Sequence, residues 1–337
     1  MSARVAIITP TYQHRKFVAA CVESVLAQTE DRWEMVVIDD GSTDGTADII
    51  SKVRDPRIHL IERRHRGLGA LGNSYNSALA ASRAPLIAVL EGDDAWPSDK
   101  LERQLADFDD PDIVLSYGAA ALLDEEGRQY AVAGPRRRTD QLDNRPPGAI
   151  IDELAGSNFI VAPTVIVRRS SLEGIGGFQQ PPGVPYVDHL TWLMLAQRGT
   201  FRYHPEIVGF WRRHAAQYTT SSVQDGPPDM SYVDRHRSYA GVGGLQPSSE
   251  VSRRSVERSA LNRFRQALLA GSGRSVVNQA IALLRSGRPR LAGIALLGFV
   301  SWLGGGDLEW LARRQRIVSW PSRRHSRPPR GVRGACD

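Results

Sequence analysis

The chain has 337 residues, enough for one large α/β domain with an appendage, because a single hydrophobic core seldom grows past roughly 250–300 residues. Its formal net charge is only +6, but paired aspartates lie near the N-terminus and basic residues crowd the last third. Two cysteines, Cys21 and Cys336, exclude a disulfide framework, and no Cys/His cluster has the spacing of zinc ligands. We therefore expect a protein of the reducing cytoplasm.

Short apolar runs alternate with helical patterns through the N-terminal part of the chain. The runs are residues 5–8, 35–38, 58–61 and 86–90, and apolar residues at helical spacing lie between them. Each run is almost wholly apolar rather than alternating in polarity. This pattern predicts an α/β fold with a Rossmann-like, mostly parallel sheet covered by helices on both faces.

Three polar loops follow the ends of these apolar runs. They are Thr9 to Tyr12, Asp39 to Asp44, and Glu91 to Asp94. Ligands of such sheets bind beyond the carboxyl ends of the strands, so we expect the three loops to converge on one crevice.

Beyond this region the elements are more varied. We expect a helix from Ser98 to about Phe108, a hairpin, a strand, another helix and an extended return; the last four fall at residues 113–133, 160–167, 188–197 and 201–211. Arginine-rich helices follow from about Ser249. The predicted domains are a catalytic domain over 1–225, a basic helical extension over 226–321 and a disordered tail over 322–337.

The acidic loops carry the chemistry. Glu91, Asp93 and Asp94 follow a buried strand, where a charge is costly unless it is paired or bound to a cation, and Mg²⁺ and Mn²⁺ prefer carboxylate oxygens. An acidic turn that caps the next helix is the alternative. Asp39 and Asp40 can accept a hydrogen bond from a uracil or thymine N–H, or form an ordinary Asx turn.

Taken in order, these motifs resemble the family 2 glycosyltransferases of the GT-A fold. The resemblance covers roughly residues 4 to 220, and the stretches that carry it are 5–12, 36–44, Asn76, 90–97, 100–104, 163–169, 176–178, the helix that opens at Asp188, and 211–214. It implies a nucleotide-diphospho-sugar transferase, to which the arginine-rich composition adds a helical C-terminal extension.

The resemblance also implies roles for single residues. Pro10 and Tyr12 frame the nucleobase, Asp40 with Asp39 accepts from its ring N–H, and Asp93 holds the ribose; Asn76 completes the predicted nucleotide-sugar site.

The remaining implied roles concern the metal and the chemistry. Asp94 is the implied ligand of Mg²⁺ or Mn²⁺, and His214 approaches the metal or the diphosphate, with a structural role as the alternative. Asp188 stands where the family places its general base, which takes the acceptor hydroxyl's proton. Taken alone, it is an ordinary capping residue.

The chain departs from the family pattern at three positions. Glu91 replaces the first acid of the family's D-x-D-D loop, Val187 replaces the usual Glu before the base, and Tyr75 replaces an arginine. A basic residue at 63, 64 or 66 is a candidate to supply the missing phosphate contact.

The resemblance predicts an inverting, non-processive enzyme that moves one sugar from a UDP- or dTDP-sugar to an acceptor hydroxyl in surface glycan or glycoconjugate assembly. The Q-x-x-R-W motif of processive synthases is absent, since residues 315–320 read QRIVSW. A non-catalytic nucleotide-sugar binder on the same fold, and a receiver-like phosphoacceptor, are the alternatives.

The last third of the chain bears on whether the protein lies at a membrane surface. An apolar stretch over 291–302 with flanking arginines either rests on an anionic membrane or forms an ordinary helix. A lipid-linked, sugar or small-molecule acceptor is compatible with a peripheral position at the inner face of the membrane. Nucleic acid is not expected as a partner, because the arginines are not interleaved with stacking aromatics.

Overall fold

The computed structural model describes residues 2–135, 142–180, 184, 186–215, 217, 277, 278, 280 and 281. Contacts divide the chain into two compact units, Met1–Val256 and Glu257–Asp337. The second unit is described only by the helical residues 277, 278, 280 and 281. The rest of the predicted helical extension, the apolar stretch over 291–302 and the predicted disordered tail lie outside the described residues, so the predicted domain bounds stay predictions.

The first unit alternates strands with helices. Its strands are β1 (Val5–Thr11), β2 (Trp33–Asp39), β3 (Ile58–Glu62), β4 (Leu86–Val89), β5 (Ile113–Leu123), β6 (Gln129–Ala133), β7 (Ile166–Arg168) and β8 (Thr200–Arg212). Its helices are α1 (Val18–Leu26), α2 (Thr46–Ser51), α3 (Leu71–Ala81), α4 (Lys100–Leu105), α5 (Ile151–Gly156), α6 (Arg169–Glu173) and α7 (Asp188–Ala196).

These strands form one mixed sheet in the order β3-β2-β1-β4-β7-β5-β6, with β8 paired to β5. The first four strands are parallel, β7 runs antiparallel to β4 and β5, and β8 is parallel to β5. The predicted mostly parallel sheet and the hairpin, here β5 and β6, are confirmed. The carboxyl ends of β1, β2 and β4 therefore lie at one edge of the sheet.

The sheet separates two apolar cores because successive side chains of a strand point to opposite faces. On β1, Ala6 and Ile8 belong to the cluster that includes residues of α3, α5 and α7. Val5 and Ile7 belong to the other cluster, with residues of α1 and α4. All four side chains are fully buried. The helices on both faces thus explain why the strand sequences are apolar throughout.

Two elements differ from their predicted bounds. The strand predicted over 160–167 is only β7, because Pro163 lies in a 3-10 turn over Ala162–Thr164 that precedes it. The helix predicted from Ser98 to about Phe108 is α4, which begins at Lys100 and continues as a 3-10 turn over Ala106–Asp109. Within the described residues, no helix has both the length and the apolar character needed to cross a bilayer.

Candidate active site

The three predicted loops meet at the carboxyl edge of the sheet. The backbone N–H of Asp40 donates to the Thr11 carbonyl (3.0 Å), and that of Gly92 donates to the Pro10 carbonyl (3.1 Å). The backbone N–H of Gln13 also donates to the Ser42 hydroxyl (2.9 Å). The acidic loop after β4 is thereby joined to the loops after β1 and β2.

Strand β8 supports the acidic loop from the other side. The backbone N–H of Arg212 donates to Asp94 Oδ1 (2.9 Å), and its Nε donates to the Asp93 carbonyl (3.0 Å). An isolated bridge pairs Ala95 with Phe210. Arg212, which follows Asp94 by 118 positions and Asp93 by 119, therefore holds both aspartates in place.

Asp93 faces two histidines. Its Oδ2 atom lies 3.0 Å from His214 Nε2 and 4.0 Å from His14 Nε2. Burial opposes ionisation of Asp93, but the charge of His14 and the hydrogen bond with His214 outweigh it and lower the pKa of this carboxyl. Asp93 is thus held as a carboxylate beside its neighbour Asp94.

Two carboxylate oxygens in this loop are buried without a hydrogen-bond partner among the described residues, namely Asp93 Oδ1 and Asp94 Oδ2. Burial, followed by the charges of Asp93 and Glu91, raises the pKa of Asp94. A buried carboxylate of this kind is costly unless a cation compensates it, and hard divalent cations take such oxygens. The donor set of Glu91, Asp93 and Asp94, whose ligand atoms lie within 4.8 Å of one another, fits a divalent cation.

Glu91 and Tyr75, two of the departures from the family pattern, contact each other. The Tyr75 hydroxyl donates to Glu91 Oε1 at 2.5 Å. Burial, and then the charge of Asp93, raises the pKa of Glu91 to about 7. The longer Glu side chain and the Tyr hydroxyl therefore form one unit where the family carries a shorter acid and an arginine.

Asp188, the predicted general base, is the first residue of α7. Asn158 Nδ2 donates to its Oδ2 atom (2.7 Å), and the backbone N–H of His189 donates to its Oδ1 atom (2.7 Å). Burial raises its pKa. The charge of Asp188 in turn raises the pKa of both Tyr75 and Glu91, which links the predicted base to the acidic loop.

The predicted nucleobase residues form a second part of the site. Tyr12 is 39% exposed and stacks on His65, with ring centroids 4.0 Å apart and planes 15° apart. His65 Nδ1 lies 2.8 Å from Asp40 Oδ2. Asp39 instead accepts hydrogen bonds from the backbone N–H and the hydroxyl of Ser42, which closes the turn after β2.

Asn76 has a different environment from the other predicted ligands. Its Nδ2 donates to the Phe178 carbonyl and its Oδ1 accepts from the Phe178 backbone N–H, both at 2.8 Å. These contacts tie α3 to the segment before α7. The functional roles implied for the site residues all stay predictions, which includes the nucleotide-sugar contacts of Pro10, Tyr12, Asp39, Asp40, Asn76 and Asp93.

Three residues of the site were not predicted from the sequence. His14 stands two positions after the loop that ends at Tyr12, and this position at a strand end was a usable signal. His65 lies in the basic segment after β3, in which the sequence analysis names only the arginines, as candidates for a phosphate contact. Asn158 contacts Asp188 across 30 positions, and no sequence signal connects the two.

Comparison with known proteins identifies the family of this chain and supports its fold. The sequence profile described as "Glycosyl transferase family 2" matches residues 6–175. A putative teichuronic acid biosynthesis glycosyltransferase, TuaG of Bacillus subtilis (strain 168), is 31% identical over 201 residues, covering 59% of this chain and 74% of that protein. The chain therefore belongs to the family 2 glycosyltransferases, as its motifs predicted.

Two further similarities are informative. A UDP-Glc:alpha-D-GlcNAc-diphosphoundecaprenol beta-1,3-glucosyltransferase of Escherichia coli, WfaP, is 27% identical over 225 residues, which cover 66% of this chain and 82% of the relative. The structure of S. aureus TarS residues 1–349 in complex with UDP-GlcNAc has a TM-score of 0.59 at 16% identity and covers 91% of this chain and 93% of that one. The similarity to TarS supports the GT-A fold.

Proposed function

We propose that this chain is an inverting, non-processive glycosyltransferase that moves one sugar from a UDP- or dTDP-sugar to an acceptor hydroxyl in the assembly of a surface polysaccharide or glycoconjugate. The observation that carries the proposal is the pair of buried oxygens of Asp93 and Asp94 that have no partner among the described residues, at the edge of the sheet where ligands of this fold class bind. The printed names of TuaG and WfaP support a cell-surface product.

The donor side of the crevice is built by residues of β1, β2 and the acidic loop. Tyr12 offers an exposed ring face, Asp40 an acceptor for a base N–H, and Asp93 an acceptor for ribose hydroxyls. Asp94, in the group with Glu91 and Asp93, holds Mg²⁺ or Mn²⁺, and His214 supports the ion through Asp93. When bound, the ion neutralises the charge that the departing diphosphate acquires.

The acceptor side is governed by Asp188. The acceptor oxygen attacks the anomeric carbon while the bond from that carbon to the diphosphate oxygen breaks, and the hydroxyl proton passes to Asp188. Asn158 and the N–H of His189 hold the carboxylate in a fixed orientation for this transfer. A raised pKa makes Asp188 a stronger base than an exposed aspartate.

The name of WfaP supports a lipid-linked diphosphate acceptor. Such an acceptor places the enzyme at the inner face of the membrane as a peripheral protein. Binding of the full chain to anionic vesicles by sedimentation tests this part of the proposal, and equal recovery in the supernatant with and without vesicles contradicts it.

The decisive experiment separates donor binding from turnover. UDP binding is measured by calorimetry with Mn²⁺, and transfer is measured with UDP- and dTDP-sugars and a lipid-diphosphate-linked sugar. We expect Asp188→Asn to keep UDP affinity and to lose transfer by about 100-fold or more, because a positioned base contributes about that much. Asp94→Asn is expected to lose both, and Asp48→Asn, on the exposed face of α2, is the matched control.

The results of these assays distinguish a transferase that uses Asp188 as its base from a transferase with another base and from a nucleotide-sugar binder. Turnover that persists in Asp188→Asn contradicts the assigned base. UDP binding by the unmodified chain without turnover on any donor and acceptor identifies a nucleotide-sugar binder instead. Activity of the unmodified chain is expected to fall as the pH decreases through the raised pKa of Asp188, since only the carboxylate accepts a proton.

A further inference from the structure

His65 contacts two of the residues that are predicted to bind the nucleobase. Its imidazole stacks on the Tyr12 ring, with ring centroids 4.0 Å apart and planes 15° apart. Its Nδ1 atom lies 2.8 Å from Asp40 Oδ2 and 3.0 Å from the Asp40 carbonyl oxygen. One side chain thus makes both the stacking contact and the polar contact that Tyr12 and Asp40 are predicted to offer a base.

The imidazole has the chemical features of the base that this position is predicted to bind. A uracil or thymine ring stacks on an aromatic side chain and presents a ring N–H to a carboxylate. An imidazole with its proton on Nδ1 likewise has a planar face and a ring N–H. A ring on this face of Tyr12 reaches Asp40, and ring atoms in contact are already about 3.5–4.0 Å apart. A base therefore cannot take this face of Tyr12 while His65 is there.

The backbone before His65 is fixed against the turn after β2. The backbone N–H of Arg63 donates to the Asp39 carbonyl at 2.9 Å. Gly41, with φ +79°, permits the close approach, because a Cβ there would lie 2.7 Å from the backbone nitrogen of His65 and 2.9 Å from the Arg63 carbonyl oxygen. The position of the His65 ring beside Asp40 is therefore built into the loop.

The His65 side chain has space to leave this position. It is 44% exposed, so rotation about its χ1 angle moves the ring into solvent. A Cβ at Gly67 would meet only His65 Nε2 among the described residues, at 3.9 Å, so the chain beyond the ring does not enclose it. Removing the ring thus costs mainly its contacts with Tyr12 and Asp40.

We propose that His65 occupies the nucleobase position in the donor-free protein and swings out when a UDP- or dTDP-sugar binds. The imidazole is then an internal competitor of the base, and the apparent affinity for the donor is reduced by the fraction of molecules in which the ring is in place. This inference rests on the proposed function, because it takes Tyr12 and Asp40 as nucleobase residues. It involves neither the acidic loop nor the cation.

Calorimetry on the full-length chain with Mn²⁺ tests the proposal. UDP and inorganic diphosphate are titrated into the unmodified chain, His65→Ala, and the control His59→Ala, which changes an exposed histidine of β3. We expect His65→Ala to bind UDP about 3- to 30-fold more tightly, because a stacked ring pair and a partly exposed hydrogen bond to a carboxylate are each worth a factor of a few. Diphosphate has no base and is expected to bind all three proteins equally.

Nuclear magnetic resonance provides a second measurement on the unmodified chain. The ring protons of His65, assigned by their loss in His65→Ala, are expected to be shifted upfield by the Tyr12 ring. Addition of UDP should move these signals downfield as the imidazole leaves the stack. Inorganic diphosphate should leave them in place, because it does not compete for the base position.

The possible results separate this inference from the proposed function. Weaker UDP binding by His65→Ala overturns the inference and identifies the imidazole as a ligand of the donor. Equal UDP affinity of the unmodified chain and His65→Ala, an equal gain for diphosphate, or ring signals that bound UDP does not move also overturn it, while the proposed function stands. If neither protein binds UDP, the predicted base site is itself wrong and the inference fails with it.

Discussion

Replacement of Glu91 by Gln is expected to stabilise the metal-free protein in a pH-dependent way. The pKa of Glu91 is raised from 4.5 to about 7 by burial and by the charge of Asp93. Below pH 4.5 the side chain is protonated in both the folded and the unfolded protein, so it contributes no pH dependence there. Between 4.5 and about 7 only the unfolded protein loses the proton, which disfavours folding.

The size of the effect follows from the shift. About 2.5 pH units at about 1.4 kcal/mol each give ~3.4 kcal/mol, and solvent access to the half-buried side chain reduces this to about 2–3 kcal/mol. Gln lacks the titration and keeps an oxygen that accepts from the Tyr75 hydroxyl. The stability of the variant relative to the unmodified chain should therefore rise by about 2–3 kcal/mol from pH 4.5 to above 7.

Urea unfolding in a chelator, followed by fluorescence across this pH range, measures the difference between the two proteins. Glu23→Gln, at an exposed position of α1, provides the matched control, and its difference from the unmodified chain is expected to stay flat. A Glu91→Gln difference that is also flat, or that decreases toward high pH, refutes the assigned environment of Glu91. Added Mn²⁺ is expected to stabilise the unmodified chain more than the variant, because Gln has no charge to offer the ion.

Two other substitutions test the packing of the acidic loop at Gly92 and the ion pair of Glu30 with Arg32. Gly92→Ala is expected to lower the free energy of unfolding by about 1–3 kcal/mol in thermal unfolding, because its Cβ would lie 2.4 Å from Thr11 Oγ1. In the control Gly69→Ala, the added Cβ meets no atom of the described residues within 4 Å, and we expect no change. Equal melting temperatures for the two variants contradict the packing argument. Hydrogen bonds from Arg32 lower the pKa of Glu30 to about 2, so Glu30→Gln is expected to cost about 1 kcal/mol near pH 7. The cost should shrink below pH 4.5 and vanish near pH 2 in urea unfolding, and a pH-independent cost refutes the ion pair.

Much of the sheet was predictable because its strands are buried on both faces. The apolar runs of β1, β2 and β4 predict strands inside an α/β sheet that is covered on both faces. The polar residues after these strands then meet at one edge of the sheet. The predicted meeting of the three loops follows from this topology alone. The predicted length of β7 was too great because the apolar run over 160–167 contains a turn at Pro163. Apolar character alone does not distinguish a turn from a strand.

Side-chain partners across the crevice were less predictable. Tyr75 and Glu91 were each identified as departures, but their hydrogen bond depends on the packing of α3 against β1 and β2, which sequence spacing does not give. The pairing of His65 with Asp40 joins two loops, and that of Asn158 with Asp188 joins a loop to the start of α7. Such contacts are set by tertiary packing, whereas strand ends are set by local pattern.

The attachment of Asp94 to the backbone of Arg212 limits how this protein can be divided. A fragment that ends before β8 retains every acidic motif of the N-terminal region but loses the N–H that holds Asp94 and the strand that pairs with Ala95. Chimaeras that exchange donor specificity among relatives should therefore transfer the first hundred residues together with the distal strand. Random truncation libraries are expected to lose the ordered arrangement of the acidic loop abruptly at this strand rather than by degrees.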